Sequence, residues 1–544
     1  METSILIVGA GPVGLLMAID LAQRGVDVII VEQRAAGEAP SVKCNHVSSR
    51  TMEILRRLGL SRAVRAVGLP DDFPNDVVFR TRMTGIELTR IPIPCRRERY
   101  RSRSGPDTGW PTPEPPHRAN QIFFEPIFLA HAQALPSVTI LHAHQFETAS
   151  EASDGVTAQV RDIASGKMRT IRARYLVGCD GGRSVVRKLI GGEMEGDAVI
   201  QRVQSTYIDA PDLIDRLGSP PAWMSYNYNP DRAGTVLAID GRRRWLVHNY
   251  LLPEEVDFEA VDRDRAIRHI LGVGPDFSYR IVSNEDWIGR RLVSSRFRRG
   301  RMFISGDAAH LWVPYAGYGM NAGIADGMNL SWLLAAVLQG WASEAILDAY
   351  EIERRPITDQ VSRFAMGHAG GAIRERNTVP PEIEDPMPQG EAARRRVGEA
   401  AYALNVRQFA CAGLNFGYYY EGSPIIAYDG EQAPAYSMYD YEPSTVPGCR
   451  LPHVHLADGR SLYDLMGPGF TLVQLNPAVD AAPLLTEARG RNIPVTLLPV
   501  DRELDGVPSV YPSLLLARAD THIVWRGTML PDPKQLLDHV TGHA

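Results

Sequence analysis

The first thirty-two residues constrain the fold more than any other stretch of this chain. Ile5-Leu6-Ile7-Val8 is an apolar run of strand length. It leads into Gly9-Ala10-Gly11-Pro12-Val13-Gly14, a helical stretch from Leu15 to Arg24, and a second apolar run, Val26 to Val31, closed by Glu32 and Gln33. Each part has a physical task. Gly9 permits a tight turn, Gly11 lets the backbone approach a pyrophosphate, and Gly14 lets the helix lie close to the strand. The helix start, with Pro12 and Val13 in its first turn, offers free N–H groups to phosphates. Glu32 stands about twenty residues on, where a carboxylate accepts hydrogen bonds from a ribose 2′-OH. A glycine-rich turn in some other α/β protein would leave Glu32 without a reason. The segment reads as the opening β-α-β unit of a dinucleotide site.

At 544 residues the chain exceeds one core, and length suggests roughly three or four domains. A net charge of −6 gives no electrostatic footprint for nucleic acid. No apolar run reaches the roughly 18 residues of a membrane span. Ser4–Ile19 comes nearest, but its glycines and Pro12 mark strand, turn and helix. Glu2 stands where a signal peptide carries Lys or Arg. The five cysteines, Cys44, Cys95, Cys179, Cys411 and Cys449, are scattered and form no C-x-x-C. That pattern points to reduced thiols in a cytoplasmic protein and to no metal cluster.

Further along, a short helix is expected around Arg50–Leu58 and another over Glu125–Ala134, followed by a strand at Val138–Leu141. Between them, Ile91 to Ala119 carries Arg96, Arg97, Arg99, Arg101 and Arg103 and then four prolines. It reads as a long loop whose arginines form a solvated surface, with an anionic ligand as the alternative. Val156–Arg161 and Lys167–Ile171 suggest a hairpin leading into a strand Tyr175–Cys179. Residues 200–290 alternate in strand fashion and predict a mostly antiparallel layer. Helices are predicted from about Ala322 to Leu338 and from Ile346 to Arg363, then a polar, proline-rich linker at 375–390. The last hundred residues read as a separate unit, with strands Phe470–Leu475, Val495–Pro499, Leu514–Ala517 and Thr521–Trp525.

Two further clusters sharpen the reading. One is Gly178-Cys179-Asp180-Gly181-Gly182-Arg183-Ser184. The other is Ser305-Gly306-Asp307-Ala308-Ala309-His310, running on to Pro314-Tyr315-Ala316-Gly317-Tyr318-Gly319-Met320-Asn321. Both follow a strand with a Gly/Asp turn. Ligands of open α/β sheets sit outside the carboxyl ends of the strands, so the three glycine turns can meet on one extended cofactor. Asp307 there can accept from ribityl or ribose hydroxyls. Gly317 and Gly319 let the backbone reach a flat ring. The helix beginning near Asn321 aims its positive end at that ring, which stabilises negative charge on a reduced flavin.

In this order, G-x-G-x-x-G, D-G and G-D resemble the group A FAD-dependent aromatic hydroxylases over roughly residues 1–360, and Asp326-Gly327-Met328-Asn329 and Tyr350–Pro356 fit the same pattern. The resemblance implies an α/β fold. Its parts are a Rossmann-like FAD domain of glutathione-reductase type (1–80, 110–195 and 283–370) and a mostly antiparallel β substrate domain (81–109 and 196–282). A helical or linker segment (371–445) and a thioredoxin-like domain (446–544) follow. It places FAD against Gly9, Gly11, Gly14, Glu32, Gln121, Asp180, Gly181, Gly306 and Asp307. Lys43 stands where the family commonly has arginine, and Leu333 where it has lysine. Lys43-Cys44-Asn45 and the 315–321 loop are most similar to the phenol-hydroxylating branch, as is Pro447–Pro452 followed by Asp458–Asp464. Without a C-x-x-C the C-terminal domain cannot exchange dithiols, so a structural or dimer-forming role is expected, with a homodimer as the assembly.

The chemistry implied is transfer of one oxygen of O2 from a flavin C4a-hydroperoxide to a ring carbon ortho or para to a phenolic oxygen. A base that removes the phenolic proton raises the rate, and a dry pocket protects the hydroperoxide. His46 is the first candidate base, against a capping histidine before a helix; His248, on a predicted strand, is the second. Pro314 is expected near the reacting face, and His310 is read as shaping the Gly306-Asp307 turn. Tyr207, Trp223, Tyr226, Trp287 and Tyr315 are candidate pocket walls, though aromatics in a sheet are commonly plain core. With one β-α-β fingerprint, NADH or NADPH is expected to dock transiently, with Arg242 and Arg244 as contacts or else as a solvated turn. The substrate is a simple phenol or, alternatively, a polycyclic polyketide. A halogenase would want a lysine above the flavin and a tryptophan-rich segment, which the sequence lacks, and a flavin-binding scaffold would not turn over.

Overall fold

The computed structural model describes residues 1–313 and 317–544, so Pro314 and Tyr315 lie outside the described residues. The chain is built on sheets of eight, nine and four strands. At the centre of the first, Glu2–Val8 pairs in parallel with Val28–Val31 on one side and Met168–Gly178 on the other. Val138–Leu141 and Met302–Ile304 extend this parallel core outward. Ile5, Leu6 and Ile7 are completely buried, since helices cover both faces of such a sheet and its strands become unbroken apolar runs. Helix Pro12–Gln23 packs there against helix Gly319–Leu338.

The expected hairpin and the strand after it are one structure. Met168–Gly178 starts as the antiparallel partner of Gly155–Asp162 and continues, without a break, as a parallel neighbour of Glu2–Val8. The nine-stranded sheet is mostly antiparallel and centres on the sixteen-residue strand Met194–Asp209. It draws in Val77–Arg80, Trp287–Ser294 and His310–Trp312, reaching past the 81–109 and 196–282 limits read from sequence.

Two segments differ from expectation. Residues 375–390 form no open linker: helix Ala349–Asn377 runs into them, a 3-10 turn spans Pro381–Glu384, and helix Pro388–Asn405 begins inside them. Pro388 occupies the first helical turn, where a missing N–H costs nothing, and Ile383 is fully buried. In the 91–119 loop residues 112–119 are buried, while Arg97, Arg101 and Arg103 are exposed as a solvated run would be. Arg99 departs from that reading: it is enclosed and shares one carboxylate, Asp107, with the equally buried Arg118.

The C-terminal sheet has strand order Val495–Pro499, Phe470–Gln474, Leu514–Arg518, Ile523–Gly527, with the first pair parallel and the others antiparallel. Helices Ala482–Gly490 and Pro533–Val540 complete it. Buried ion pairs tie it to the first domain: Arg518 binds Glu353 at 2.8 and 2.5 Å, and Arg450 binds Glu53 at 2.5 Å. No described helix is long and apolar enough to cross a membrane.

Candidate active site

Three turns meet because their strands are neighbours. Cys179 N donates to Val8 O at 2.8 Å, Ser305 N to Gly178 O at 2.9 Å, and Gly9 N to Val31 O at 2.8 Å. Gly9 has φ +105, and a Cβ there would collide with the Cys179 carbonyl. A Cβ on Gly14 would collide with the Gly9 carbonyl, so helix Pro12–Gln23 presses directly on the turn. At Gly11 and Gly181, by contrast, an added Cβ meets nothing within 4 Å. Those two face open space at the cavity wall. Gly306 is again in the left-handed region, φ +64, pressed against Val13.

Glu32 is 6% exposed. Its carboxylate accepts from Ala10 N at 2.7 Å and from Arg34 N at 2.8 Å and pairs with the Arg34 guanidinium at 3.3 Å, locking the turn to the second strand; like Asp180 it does not line the cavity. Gln33 beside it is exposed. Asp180 caps helix Val185–Leu189, accepting from Val185 N at 2.7 Å and Ser184 Oγ at 2.5 Å; it does not line the cavity, so its sequence placement on cofactor gives way to a role in shaping the turn. Asn321 is likewise occupied. It accepts from Ser48 N at 2.9 Å and donates to His46 O and Gly317 O, at 3.1 and 2.7 Å, clamping the 46–48 segment to the start of helix Gly319–Leu338.

Outside the turns lies one cavity of about 590 Å³. Its first wall is Gly11, Pro12, Val13, Gln121, Gly181, Ser305 and Asp307, with Gly317, Gly319 and Met320 at the helix start and Lys43 at the rim. Gln121 is oriented by a 2.6 Å hydrogen bond to Glu125. Asp307 presents an exposed carboxylate to the cavity, and the enclosing protein pushes its pKa up. Lys43 is more than half exposed, 3.7 Å from Glu285. This wall fits FAD. Its open glycine positions admit a pyrophosphate, two helix N-termini face it, and the Asp307 carboxylate stands ready for a hydroxyl.

The opposite wall comes from the nine-stranded sheet. Trp223, Tyr226, His248 and Trp287 line it; Tyr226 stacks on Phe79 at 5.0 Å, and His248 meets Trp287 edge-on at 5.9 Å. Tyr207 does not reach the cavity and lies under Arg244. Arg244 and its neighbour Arg243 pair with Asp209, and Asp240 caps the turn by accepting from the backbone N–H groups of Arg242, Arg243 and Arg244. The cluster does not line the cavity. Burial pushes His248 down to about 4, and its Nδ1 is buried without a partner. His310 donates from or accepts at Nε2 with Asp326, 2.7 Å away, stacks on Trp312 at 4.4 Å, and thereby braces the Gly306-Asp307 turn.

His46 lines the cavity, but the base role expected of it meets an obstacle. The Arg118 guanidinium donates to His46 Nδ1. Burial and that neighbouring cation hold the imidazole neutral, far below its ordinary pKa. The lone pair a base would use is already taken. Sequence reasoning missed Arg118, because only the folded loop brings it to the cavity, with Asp107 buried behind it.

A flavin cradle facing an aromatic chamber defines an FAD-dependent oxidoreductase. A family model described as FAD binding domain matches residues 2–365. The chain belongs to that family and is a flavoprotein monooxygenase of the group A aromatic hydroxylase kind. It is 30% identical to a phenol 2-monooxygenase of Pseudomonas sp. (98% of this chain, 92% of the relative). It is also 30% identical to a tetracenomycin B2 monooxygenase-dioxygenase of Streptomyces olivaceus (99% and 98%). Among solved structures it resembles RebC with bound 7-carboxy-K252c, with TM-score 0.87, 30% identity and 100% of both chains covered.

Proposed function

We propose that the protein hydroxylates a phenolic aromatic compound, ortho or para to its hydroxyl, with O2 and NADH or NADPH as co-substrates. One observation carries this reading: a single cavity has the three glycine turns on one side and the Trp223, Tyr226 and Trp287 wall on the other. Bound FAD supplies the redox chemistry, accepting electrons from the nicotinamide and activating O2. The chain's own residues do the rest. The turn at Gly11 and the start of helix Pro12–Gln23 bind the pyrophosphate, and Asp307 the ribityl chain. The N-terminus of helix Gly319–Leu338 supports negative charge on the ring. The aromatic wall excludes water from the reacting face. With one β-α-β unit present, the nicotinamide docks transiently.

A second reading is tailoring of a polycyclic aromatic; the relatives named for phenol and for tetracenomycin B2 bracket both possibilities. The C-terminal domain, read as thioredoxin-like, docks through buried ion pairs and serves as a brace. A stopped-flow screen of NADH and NADPH oxidation across phenols, biphenylols and anthraquinone-type aromatics, with product mass spectrometry, tests the proposal. A ligand-stimulated burst with one hydroxylated product per turnover is expected. Oxidation indifferent to every aromatic would refute it.

A further inference from the structure

One turn of the C-terminal domain reaches into the flavin domain. Residues Arg518 to His522 close on themselves, Thr521 N donating to Arg518 O at 2.8 Å and Arg518 N to His522 O at 2.9 Å, and all are buried. Thr521 has φ +71, which a β-branched residue adopts only under constraint, and such a conformation persists where its surroundings over-determine it. The turn grips two places. Arg518 holds Glu353, on helix Ala349–Asn377, at 2.8 and 2.5 Å, and Glu353 in turn accepts from Asn329 Nδ2 at 2.7 Å. The next residue, Arg354, donates to Asp326 at 2.8 Å, and Asp326 pairs with His310. Asp326 and Asn329 lie on helix Gly319–Leu338, whose start walls the cavity, while His310 braces the Gly306-Asp307 turn. On the other side, Asp520 O accepts from Arg50 Nη2 at 2.5 Å. Arg50 stands two residues past Ser48, whose N–H is held by Asn321, and residues 43–46 just before it also wall the cavity.

Charge within this cluster is balanced. Arg50, Arg354, Arg450 and Arg518 face Glu53, Asp326, Glu353 and Asp520; all are buried and none lines the cavity. Stability alone is a poor reason for such a cluster. Well-packed apolar residues in place of a buried ion pair commonly leave a fold as stable or more so, and the best-attested use of such pairs is to fix one register. A two-pronged guanidinium–carboxylate contact admits one geometry, whereas apolar side chains tolerate small slides.

From this arrangement we infer that the C-terminal domain sets the geometry of the flavin cradle, with Arg518 and Asp520 as positioning residues, although no residue of that domain lines the cavity. Arg518 acts through helix Ala349–Asn377 on helix Gly319–Leu338 and on the Gly306-Asp307 turn. Asp520 acts through Arg50 on the 43–48 segment. The two arms meet at Asn321, which joins that segment to the helix start. This goes beyond a bracing role and holds whichever aromatic is taken. Coupling between two sites is typically worth about 5–150-fold in affinity, so cutting either arm should weaken FAD binding about fivefold or more.

The test strips the full chain of FAD and titrates FAD back, reading uptake by quenching of flavin fluorescence and the bound flavin by visible circular dichroism. Arg518→Met and Arg50→Met each cut one arm. Both should raise the FAD dissociation constant about fivefold or more and alter the flavin's visible dichroism, in protein whose far-ultraviolet dichroism matches wild type. Arg518→Lys keeps the charge without the fork and should fall between. A brace alone would lower the urea midpoint yet leave FAD affinity and flavin spectrum of the folded variants at wild-type values, and that result overturns the inference. Should the methionine variants fail to fold, hydrogen exchange of wild type decides. By reciprocity, FAD should slow exchange in residues 514–522 more than in strand Val495–Pro499 of the same sheet; equal slowing, or none, overturns the inference. A wild type that takes up no FAD would overturn the cradle as well, whereas normal uptake with unresponsive variants overturns the positioning role alone.

Discussion

Glu353 is the most instructive residue to disturb, because it joins two domains through a fully buried pair. It is 1% exposed and accepts from Arg518 Nη1 and Nη2 at 2.8 and 2.5 Å, from Asn329 Nδ2 at 2.7 Å and from Ser423 Oγ at 2.6 Å. Arg518 lies in the C-terminal sheet, and its only other carboxylate contact among the described residues is Asp520, at 2.8 Å. Glu353→Gln keeps the shape and removes the charge. Arg518 keeps its two hydrogen bonds to Asp520, at 2.8 and 2.9 Å, so the loss is that of one of two carboxylate partners, roughly 1.5–3 kcal/mol for hydrogen bonds to a charged group. Against a domain stability of about 5–15 kcal/mol that is a large fraction. Arg518→Met should cost more, roughly 3–5 kcal/mol, by stranding both carboxylates. The double variant should cost less than the sum by about 1–3 kcal/mol, since contacting residues couple on that scale. Urea unfolding followed by circular dichroism measures all four proteins. Single variants within about 1 kcal/mol of wild type, or strict additivity, would show that the C-terminal domain is held by apolar packing and that the ion pair contributes little.

Other expectations follow from the same geometry. Gly11→Ala should fold normally, because φ −75 suits alanine and the methyl meets open space, yet purify with far less FAD; Gly14→Val, driven into the Gly9 carbonyl, should fail to fold. Full flavin content in Gly11→Ala would contradict the cradle. Asp307→Ala should purify colourless, and a yellow preparation would remove Asp307 from the flavin site. His248 is depressed to about 4 by burial, so the unfolded chain binds its proton first as pH falls. Stability from this group is complete above about 6.5 and is lost as pH drops toward 4. The urea midpoint of His248→Phe should therefore fall less than that of wild type between pH 7 and pH 4.5, and parallel curves would refute the assignment.

Local order fixed much of the cofactor half in advance. The Gly9–Gly14 turn, the Glu32 strand end and the Gly306-Asp307 turn owe their conformations to glycines and short-range strand propensity, which are written in consecutive residues. Their convergence was legible as well, since neighbouring parallel strands put their carboxyl ends side by side. Asp180 and Asn321 show where pattern alone misleads. Each sits in the right motif, but its polar atoms are engaged by neighbouring backbone groups and, for Asp180, by the Ser184 hydroxyl.

The ligand half was decided by tertiary structure. Arg118 and Asp107 are eleven residues apart in a proline-rich loop that looks solvated, and His46 is seventy-two residues from Arg118. Charge in sequence carries no information about desolvation, whereas folding put the Arg99 and Arg118 guanidinium groups around one carboxylate away from water. Thus the chain's order of residues pointed to a flavin-binding fold and to its glycine turns. The burial and pairing of the side chains opposite those turns depended on long-range packing that no local pattern encodes.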